Sequence, residues 1–407
     1  MQAKKRLQIV AYMSHSPQIR RPVHRIEISR SALESNVRVF REIAPDSLFM
    51  AVVKSNAYGH DLDRVVEALS GKVDWFGVNG LPEARRLRQL DAQTPVLVMG
   101  LNVHDLAQAH ADSLAIPAGL TVVVSSMEAL DWIAANAPEQ SFHLKVDTGL
   151  SRLGANGAGL DACLEFLKAH PQLAWTGLMT HFANVEDVTD QSYALEQLAR
   201  FTAVRERARE AAGERRLIVH AAASAPALIL PDARLDLIRV GISLYGLWPS
   251  NETRLSALSQ LERLPELRPV LRWLTRIVHV HDVPAGANVG YGCTYQTPAD
   301  TRVATLPVGY YEGYERALSS RAHVLIHGRR APVLGRVSMN MIVVDVGHIP
   351  GVAAGDEAVL LGRAEVDDAS GASAEEVSAE DLAELTGTIN YEVVTRILAD
   401  LPRVPVD

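Results

Sequence analysis

Cysteine is nearly absent: Cys163 and Cys293 are the only two in 407 residues. They lie far apart and fit no metal-ligand spacing, which excludes a disulfide scaffold and a cysteine metal centre. Cationic excess is absent too. Lys and Arg number 40 against 48 Asp and Glu, a formal net charge of −8. No global positive field therefore recommends nucleic acid or an anionic membrane as a partner. No stretch approaches the ~20 apolar residues of a membrane span. No internal repeat or low-complexity tract is found. What remains, 48% hydrophobic and 22% charged, is ordinary globular composition. The chain is long enough to fold without staples and to hold two or three domains. Near the N-terminus Lys4-Lys5-Arg6 precedes the apolar stretch Leu7 to Met13, which Gln8 and Tyr12 interrupt. A secretory signal wants a cleaner apolar core and a small-residue cleavage site. Residues 1–22 read as a flexible leader, and the protein as cytoplasmic.

From residue 30 to about 250, short apolar runs alternate with helical patterns. The runs are Leu48–Lys54, Trp75–Gly80, Pro95–Gly100, Leu120–Ser126, Phe142–Asp147, Ala174–Phe182, Leu217–Ser224 and Leu237–Ser243. Near-continuous apolarity is the mark of strands buried on both faces. Helical periodicity fills the gaps, for instance at Leu81–Leu90 and Asp190–Ala212. Ser31-Ala32-Leu33-Glu34 has capping-box spacing ahead of a helix carrying Leu33, Val37 and Phe40. Eight such runs predict a (β/α)8 TIM-type barrel over residues 23–256. An open doubly wound sheet is the alternative, but eight strands favour closure, which removes exposed edges. Beyond residue 257 the texture changes to strand-like stretches separated by Gly and Pro, beginning with Val270–Asp282. Residues 257–407 are therefore expected to form a mostly β-strand domain.

In a barrel, functional groups gather at the C-terminal strand ends. Run one ends at Lys54, and a lysine finishing an apolar strand is unusual unless it is paired or used covalently. Run five ends in Lys145-Val146-Asp147-Thr148-Gly149-Leu150-Ser151-Arg152, run six in Thr180-His181-Phe182, run seven in His220 to Ser224, and run eight in Arg239-Val240-Gly241-Ile242. Loops after the seventh and eighth strands often bind phosphate. Ser224 offers a hydroxyl there, and Gly241 and Ile242 offer amides open to close approach. A buried lysine and an anion cradle on one rim suggest pyridoxal 5'-phosphate tethered to the lysine. Taken singly, each residue has a plainer reading. Lys54 fits a paired structural lysine, His181 a satisfied core histidine, and Arg239 a barrel salt bridge. The plainer readings need all of them to meet on one rim by accident.

From about residue 23 to 403 the chain resembles the bacterial alanine racemases. Lys54-Ser55-Asn56-Ala57-Tyr58-Gly59-His60 is similar to the family's pyridoxal-lysine signature. Lys145–Arg152, Thr180-His181-Phe182, Arg239–Gly246, Gly290-Tyr291-Gly292, Pro307-Val308-Gly309-Tyr310, Gly335–Asn340 and Ile389-Asn390-Tyr391-Glu392 follow in the family's order. The resemblance implies a homodimer with composite sites and alanine as substrate. Lys54 and, from the partner subunit, Tyr291 would be the two catalytic bases. Tyr58, Ser224, Gly241, Ile242 and Tyr391 would hold the phosphate. Arg239 would face the pyridine nitrogen, with His181 behind it. Arg152 would approach the cofactor's phenolic oxygen, and the Met339 amide the substrate carboxylate. Lys145 matches a position often carbamylated, and Tyr310 and Tyr391 would narrow the entrance. The product would supply D-alanine for peptidoglycan.

The sequence departs from the family pattern at Ala223, at Ser338 and Asn340 beside Met339, and at Asp61 after His60. The pair near the expected substrate carboxylate leaves a broad alanine/serine racemase as an alternative. A non-catalytic pyridoxal-phosphate carrier would need neither the second domain nor Tyr291. A barrel decarboxylase would place an acid where Arg239 stands.

Overall fold

The computed structural model describes residues 23–100, 103–111, 119–364 and 375–407. The leader expected at 1–22 lies outside them. The chain enters through strand β1 (Arg25–Ser29), and a helix follows at Arg30–Ile43. Its cap is Ser29, whose Oγ accepts from Ala32 N at 3.1 Å. The capping box expected at Ser31 is not formed. The helix starts earlier, because β1 runs directly into it. Ser31 lies in the first turn, donating from N and Oγ to the Asp407 carboxylate at 3.0 and 2.8 Å. A carboxylate there answers the unpaired N–H groups and the dipole of the helix start.

Eight parallel strands then alternate with helices: β2 (Leu48–Val52), β3 (Trp75–Val78), β4 (Val96–Val98), β5 (Leu120–Val124), β6 (Phe142–Lys145), β7 (Trp175–Met179), β8 (Ile218–His220) and β9 (Leu237–Val240). Each falls within one of the apolar runs. The order β8-β7-β6-β5-β4-β3-β2-β9 carries the sheet round until β2 pairs with β9. Two backbone bonds close the seam, Asp236 N to Val219 O at 3.1 Å and Arg239 N to Ala222 O at 3.0 Å. Met50, Val52, Leu97, Val123, Met179 and Leu237 fill the interior. The barrel is thus a packed plug, and the site rests on top of it.

The second unit is a mostly antiparallel sheet. Its strands are β10 (Leu271–Arg276), β11 (His279–Val283), a small separate hairpin β12 (Asn288–Val289) and β13 (Tyr295–Gln296), then β14 (Thr301–Leu306), β15 (His323–Ile326), β16 (Arg329–Leu334), β17 (Ile342–Asp345), β18 (Glu357–Ala364), β19 (Glu375–Val377) and β20 (Arg403–Val406). Val270–Asp282, expected as one strand, divides. Ile277 N turns to Asp356 O and Val278 N to Thr305 O, so the chain changes neighbours there. Residues 25–29, grouped with the barrel in the sequence reading, instead form β1 in this sheet, antiparallel to β10 and parallel to β20. Ile26 and Ile28 are buried by that pairing. The chain's first and last described strands thus lie side by side. They bring the helix Asn390–Thr395 against the loop that follows β2.

Candidate active site

Lys54 follows the last ladder bond of β2, Val53 N to Gly77 O at 2.8 Å. The chain then turns left-handed. Ser55, Asn56, Ala57 and Tyr58 have φ between 52° and 56°, and Gly59 has φ 81°. For residues with a Cβ this costs about 1–2 kcal/mol each, so the surroundings must over-determine it. They do. Ala57 N reaches Val53 O at 2.9 Å, and Ser55 N donates to Glu83 Oε1 at 2.6 Å. The Arg403 guanidinium donates to Gly59 O at 3.1 and 3.2 Å. A Cβ on Gly59 would collide with the Val394 carbonyl, so only glycine fits there. Asp61, a departure from the family pattern, caps the next helix by accepting from Arg64 N at 3.1 Å. Burial lowers the basicity of the Lys54 amine and Arg152 lowers it further, while Glu83 opposes both.

Beside the lysine's strand, past the ends of β8 and β9, lies a candidate anion cradle. Ser224 opens the helix Ser224–Ile229, and Ile242 opens a 3-10 turn ending at Tyr245. Two helix starts therefore meet, an arrangement that favours anions, although the Gly241 and Ser243 N–H groups both point to Ser224 Oγ. Ser224 Oγ accepts from Gly241 N at 3.0 Å. Ser243 Oγ, fully buried, has no partner among the described residues. Gly241 is needed for space: a Cβ there would sit 2.6 Å from Tyr58 Oη. Tyr58 packs against Tyr245 at 5.2 Å and Tyr391 at 6.2 Å between ring centroids. Burial raises the Tyr58 phenol to about 12 and raises that of Tyr391 as well, so both present O–H groups.

Arg239, at the end of β9, is buried against the ends of β7 and β8. Its guanidinium donates to Thr180 O and Ala221 O, both at 2.9 Å, to His220 Nδ1 at 2.8 Å and toward His181 Nδ1 at 3.2 Å. The expected His181 contact is present, but the shorter one is to His220. His220 Nε2 in turn meets His143 Nδ1 at 2.8 Å. Arginine only donates, so the tautomers follow: His220 accepts on Nδ1 and donates from Nε2 to His143. Burial, then Arg239, holds His143 and His181 down to about 3 and His220 well below its ordinary value. All three rings are neutral. Burial brings Arg239 down only to about 10, which leaves it a cation at neutral pH.

Lys145 ends β6 beside these groups. Burial, Arg152 and Arg239 push its amine down to about 8. Lys54, Lys145, Arg152 and Arg239 thus share one rim. Their nearby counter-charges are Glu83 and Asp147. Asp147 is already occupied. Burial works against its charge, but N–H groups of Gly149, Leu150 and Ser151 hold its carboxyl below the usual range. The surplus is positive, which suits a phosphate-bearing, anionic group.

The remaining predicted residues lie elsewhere. Tyr291 is 71% and Met339 54% exposed, on the second unit. Tyr310 N bonds to Ser338 O and Tyr311 N to Met339 O, which gathers Tyr310, Tyr311 and Met339 on one surface. Gly292 lies against Arg336 beside it, bringing the Tyr291 segment close. Among the described residues no hydrogen bond or ring contact joins Tyr291 or Met339 to the barrel mouth. Asn340, another departure, is held by Glu312 at 2.7 Å. Three participants were missed in the sequence. His143 and His220 stand at inward positions of β6 and β8, and Glu83 opens the helix after β3. The first two carry a signal, a histidine inside an apolar run; Glu83 carries none.

A closed barrel whose rim carries an amine of lowered basicity, an anion cradle and a surplus of fixed cations defines a pyridoxal-phosphate-binding barrel. Residues 28–249 match the alanine racemase N-terminal domain and residues 270–405 its C-terminal domain, and the chain belongs to the alanine racemase family. That family depends on pyridoxal phosphate. The chain is 40% identical to an alanine racemase of Leptospira interrogans over 384 residues, covering 94% of this chain and 95% of the relative. It is 37% identical to one of Desulfovibrio desulfuricans, over 94% and 97% of the two chains. Its structure superposes on the alanine racemase of Streptomyces lavendulae with a TM-score of 0.82, at 33% identity, over 95% of this chain and 98% of that one. The enzyme of Bacillus anthracis with bound L-Ala-P superposes at 0.81, with 30% identity, over 95% and 96%.

Proposed function

We propose that this protein interconverts L- and D-alanine with two bases on opposite faces of the α-carbon, one of them contributed by a second copy of the chain. One observation carries this reading above the others. The barrel mouth brings together a candidate anion cradle and the Lys54 and Lys145 amines, while the candidate second base, Tyr291, stands exposed on a separate surface. A single base would return most protons to the face they left, so racemisation needs a second. A homodimer that sets the Tyr291 surface of one subunit over the barrel mouth of the other supplies it.

Pyridoxal phosphate, when held through Lys54, withdraws electrons from the substrate's α-carbon and so acidifies its hydrogen. Ser224, Gly241, Ile242, Tyr58 and Tyr391 would hold its phosphate. Arg239, a cation at neutral pH, would face the ring nitrogen as a hydrogen-bond donor. Lys54 takes or returns a proton on one face, and Tyr291 of the partner subunit does so on the other. For Tyr291 to exchange a proton it would need positive charge beside it, which the Arg239 guanidinium would supply in the assembled site. Arg152 would serve the substrate carboxylate and the cofactor's phenolic oxygen, and the amide of the partner's Met339 would serve the carboxylate. Tyr310 and Tyr391 narrow the way in. D-Alanine for peptidoglycan is the role assigned, in the cytoplasm. No described helix is long and apolar enough to cross a membrane.

Purified protein with bound cofactor, incubated with L-alanine in deuterated water, is expected to yield both enantiomers with deuterium at the α-carbon. Optically pure, unlabelled alanine after many hours would sink the reading. Faster label uptake into L-serine would shift the assignment to the broader alanine/serine racemase.

Lys145 is proposed to be carbamylated. Its lowered basicity leaves a useful fraction of free amine at neutral pH to add carbon dioxide. Its surroundings reward the change from cation to anion, because Arg152 and Arg239 both face it. Native mass spectrometry with and without bicarbonate should show the adduct, mapped to Lys145. An unmodified Lys145 in bicarbonate-saturated enzyme would refute this.

A further inference from the structure

The barrel sheet does not aim Lys54, which stands beyond the last ladder bond of β2. The left-handed turn aims it, and that turn begins with the peptide N–H of Ser55. Glu83 Oε1 accepts this N–H at 2.6 Å. The other oxygen, Oε2, accepts from Asn79 N at 2.8 Å. Glu83 lies in the first turn of the helix Leu81–Leu90, where the helix dipole favours an anion. Its carboxylate therefore staples the loop after β2 to the loop after β3. Arg403 grips the other end of the turn at Gly59 O.

We propose that Glu83 is a positioning residue for Lys54: its carboxylate fixes the first peptide of the left-handed turn, and with it the direction of the lysine over the barrel mouth. Two features distinguish it from an ordinary helix cap. Both oxygens are used on N–H groups outside its own helix, one of them directly after the lysine. It is also the acidic group, among the described residues, that favours the charged form of Lys54; the other groups facing that amine are Arg152, Lys145 and the neutral His181. One carboxylate thus sets both the direction and part of the electrostatic setting of the amine. Glutamine keeps the shape but turns one acceptor into a donor facing an N–H, and it removes the charge. Aspartate keeps the charge but shortens the reach.

The claim rests on Lys54 being the cofactor lysine, so borohydride fixation and peptide mapping of the wild-type holoenzyme come first. A label found elsewhere overturns that reading. With the label at Lys54, full-length Glu83→Gln and Glu83→Asp are compared with wild type. In Glu83→Gln, kcat is expected to fall on the order of tenfold to a hundredfold, with KM changed far less. In the chain freed of cofactor, the Lys54 amine, followed by NMR of labelled methyl groups placed on it, should titrate at lower pH than in wild type. Amide exchange should quicken at residues 55–59 and not across the barrel. Glu83→Asp should recover part of kcat and most of the titration. If Glu83→Gln fails to fold, Glu83→Asp carries the test through the same readouts, with kcat reduced and exchange at 55–59 quickened. Wild-type kcat with an unmoved Lys54 titration would overturn the proposal. So would quickened exchange spread through the whole barrel with kcat per folded molecule unchanged.

Discussion

Lys54→Ala and Tyr291→Ala proteins are each expected to lose on the order of 10³ or more of their racemase activity, and a mixture of the two to regain about one quarter of the wild-type level. The recovery follows from where the structure puts the two side chains. Lys54 is at the barrel mouth, with the turn that follows it braced by Glu83 and Arg403; Tyr291 is exposed on the second unit, and among the described residues no hydrogen bond or ring contact joins it to that mouth. If each site takes its lysine from one subunit and its phenol from the other, a mixed dimer holds one site with both bases and one with neither. Random reassortment makes half the dimers mixed, and half of their sites intact. Both variants should keep their cofactor-free fold. Lys54→Ala would lose the proposed covalent tether, while the proposed cradle at Ser224 and Gly241 is expected to keep the phosphate. Activity is measured after subunit exchange, itself confirmed by native mass spectrometry of differently tagged chains. No recovery among demonstrably mixed dimers would mean that both bases serve from one chain. Phenylalanine at 291 serves as a control for lost surface, since it keeps the ring and removes only the ionisable oxygen.

The barrel was legible in the sequence because a parallel strand covered on both faces must be apolar at every position. Leu48–Val52 and Leu120–Val124 could hardly be read otherwise. The rim chemistry was legible for a related reason: Lys54, Lys145 and Arg239 are charges at the ends of such runs, where burial demands an explanation. The membership of Arg25–Ser29 was not legible. Its alternation says only that one face is buried, and its neighbours, Leu271–Arg276 and Arg403–Val406, lie hundreds of residues away. The left-handed turn was hidden as well. Ser55-Asn56-Ala57-Tyr58 contains no glycine, and local preference speaks for a right-handed turn. What overrides it comes from Glu83, Val394 and Arg403, all distant in the chain. The histidine chain needed strand register. His143 and His220 each pass for a core histidine until β6, β7 and β8 are laid side by side and the two rings come within hydrogen-bond distance.

Arg239→Glu should do two things that Arg239→Lys does not do together. It should raise amino-group transfer as a side reaction, seen as conversion of bound cofactor to its amine form. It should also reverse the histidine chain. Arg239 is a donor to four partners, and a carboxylate can donate to none of them. Thr180 O and Ala221 O are left buried without donors, so stability falls by roughly 3–5 kcal/mol, read as a lower urea midpoint. His220 must then present Nδ1–H to the new acid, which leaves Nε2 as an acceptor and forces His143 to donate from Nδ1. Nitrogen NMR of the two rings would report the exchange of tautomers. At the ring nitrogen the effect is larger. Arginine keeps its own proton at neutral pH, since burial lowers it only to about 10. A nitrogen facing it stays unprotonated and draws electrons weakly. An acid in its place would favour a protonated nitrogen and so a stronger electron sink, which would favour amino-group transfer. Racemisation should fall on the order of 10²–10³ through loss of the fixed cation, while side reaction per turnover rises. Lysine, keeping the charge but losing the fork, should lower stability and rate without raising side reaction. If the glutamate and lysine variants partition alike, the charge at position 239 does not govern the outcome, and Arg239 matters here only as a buried donor that shapes the rim.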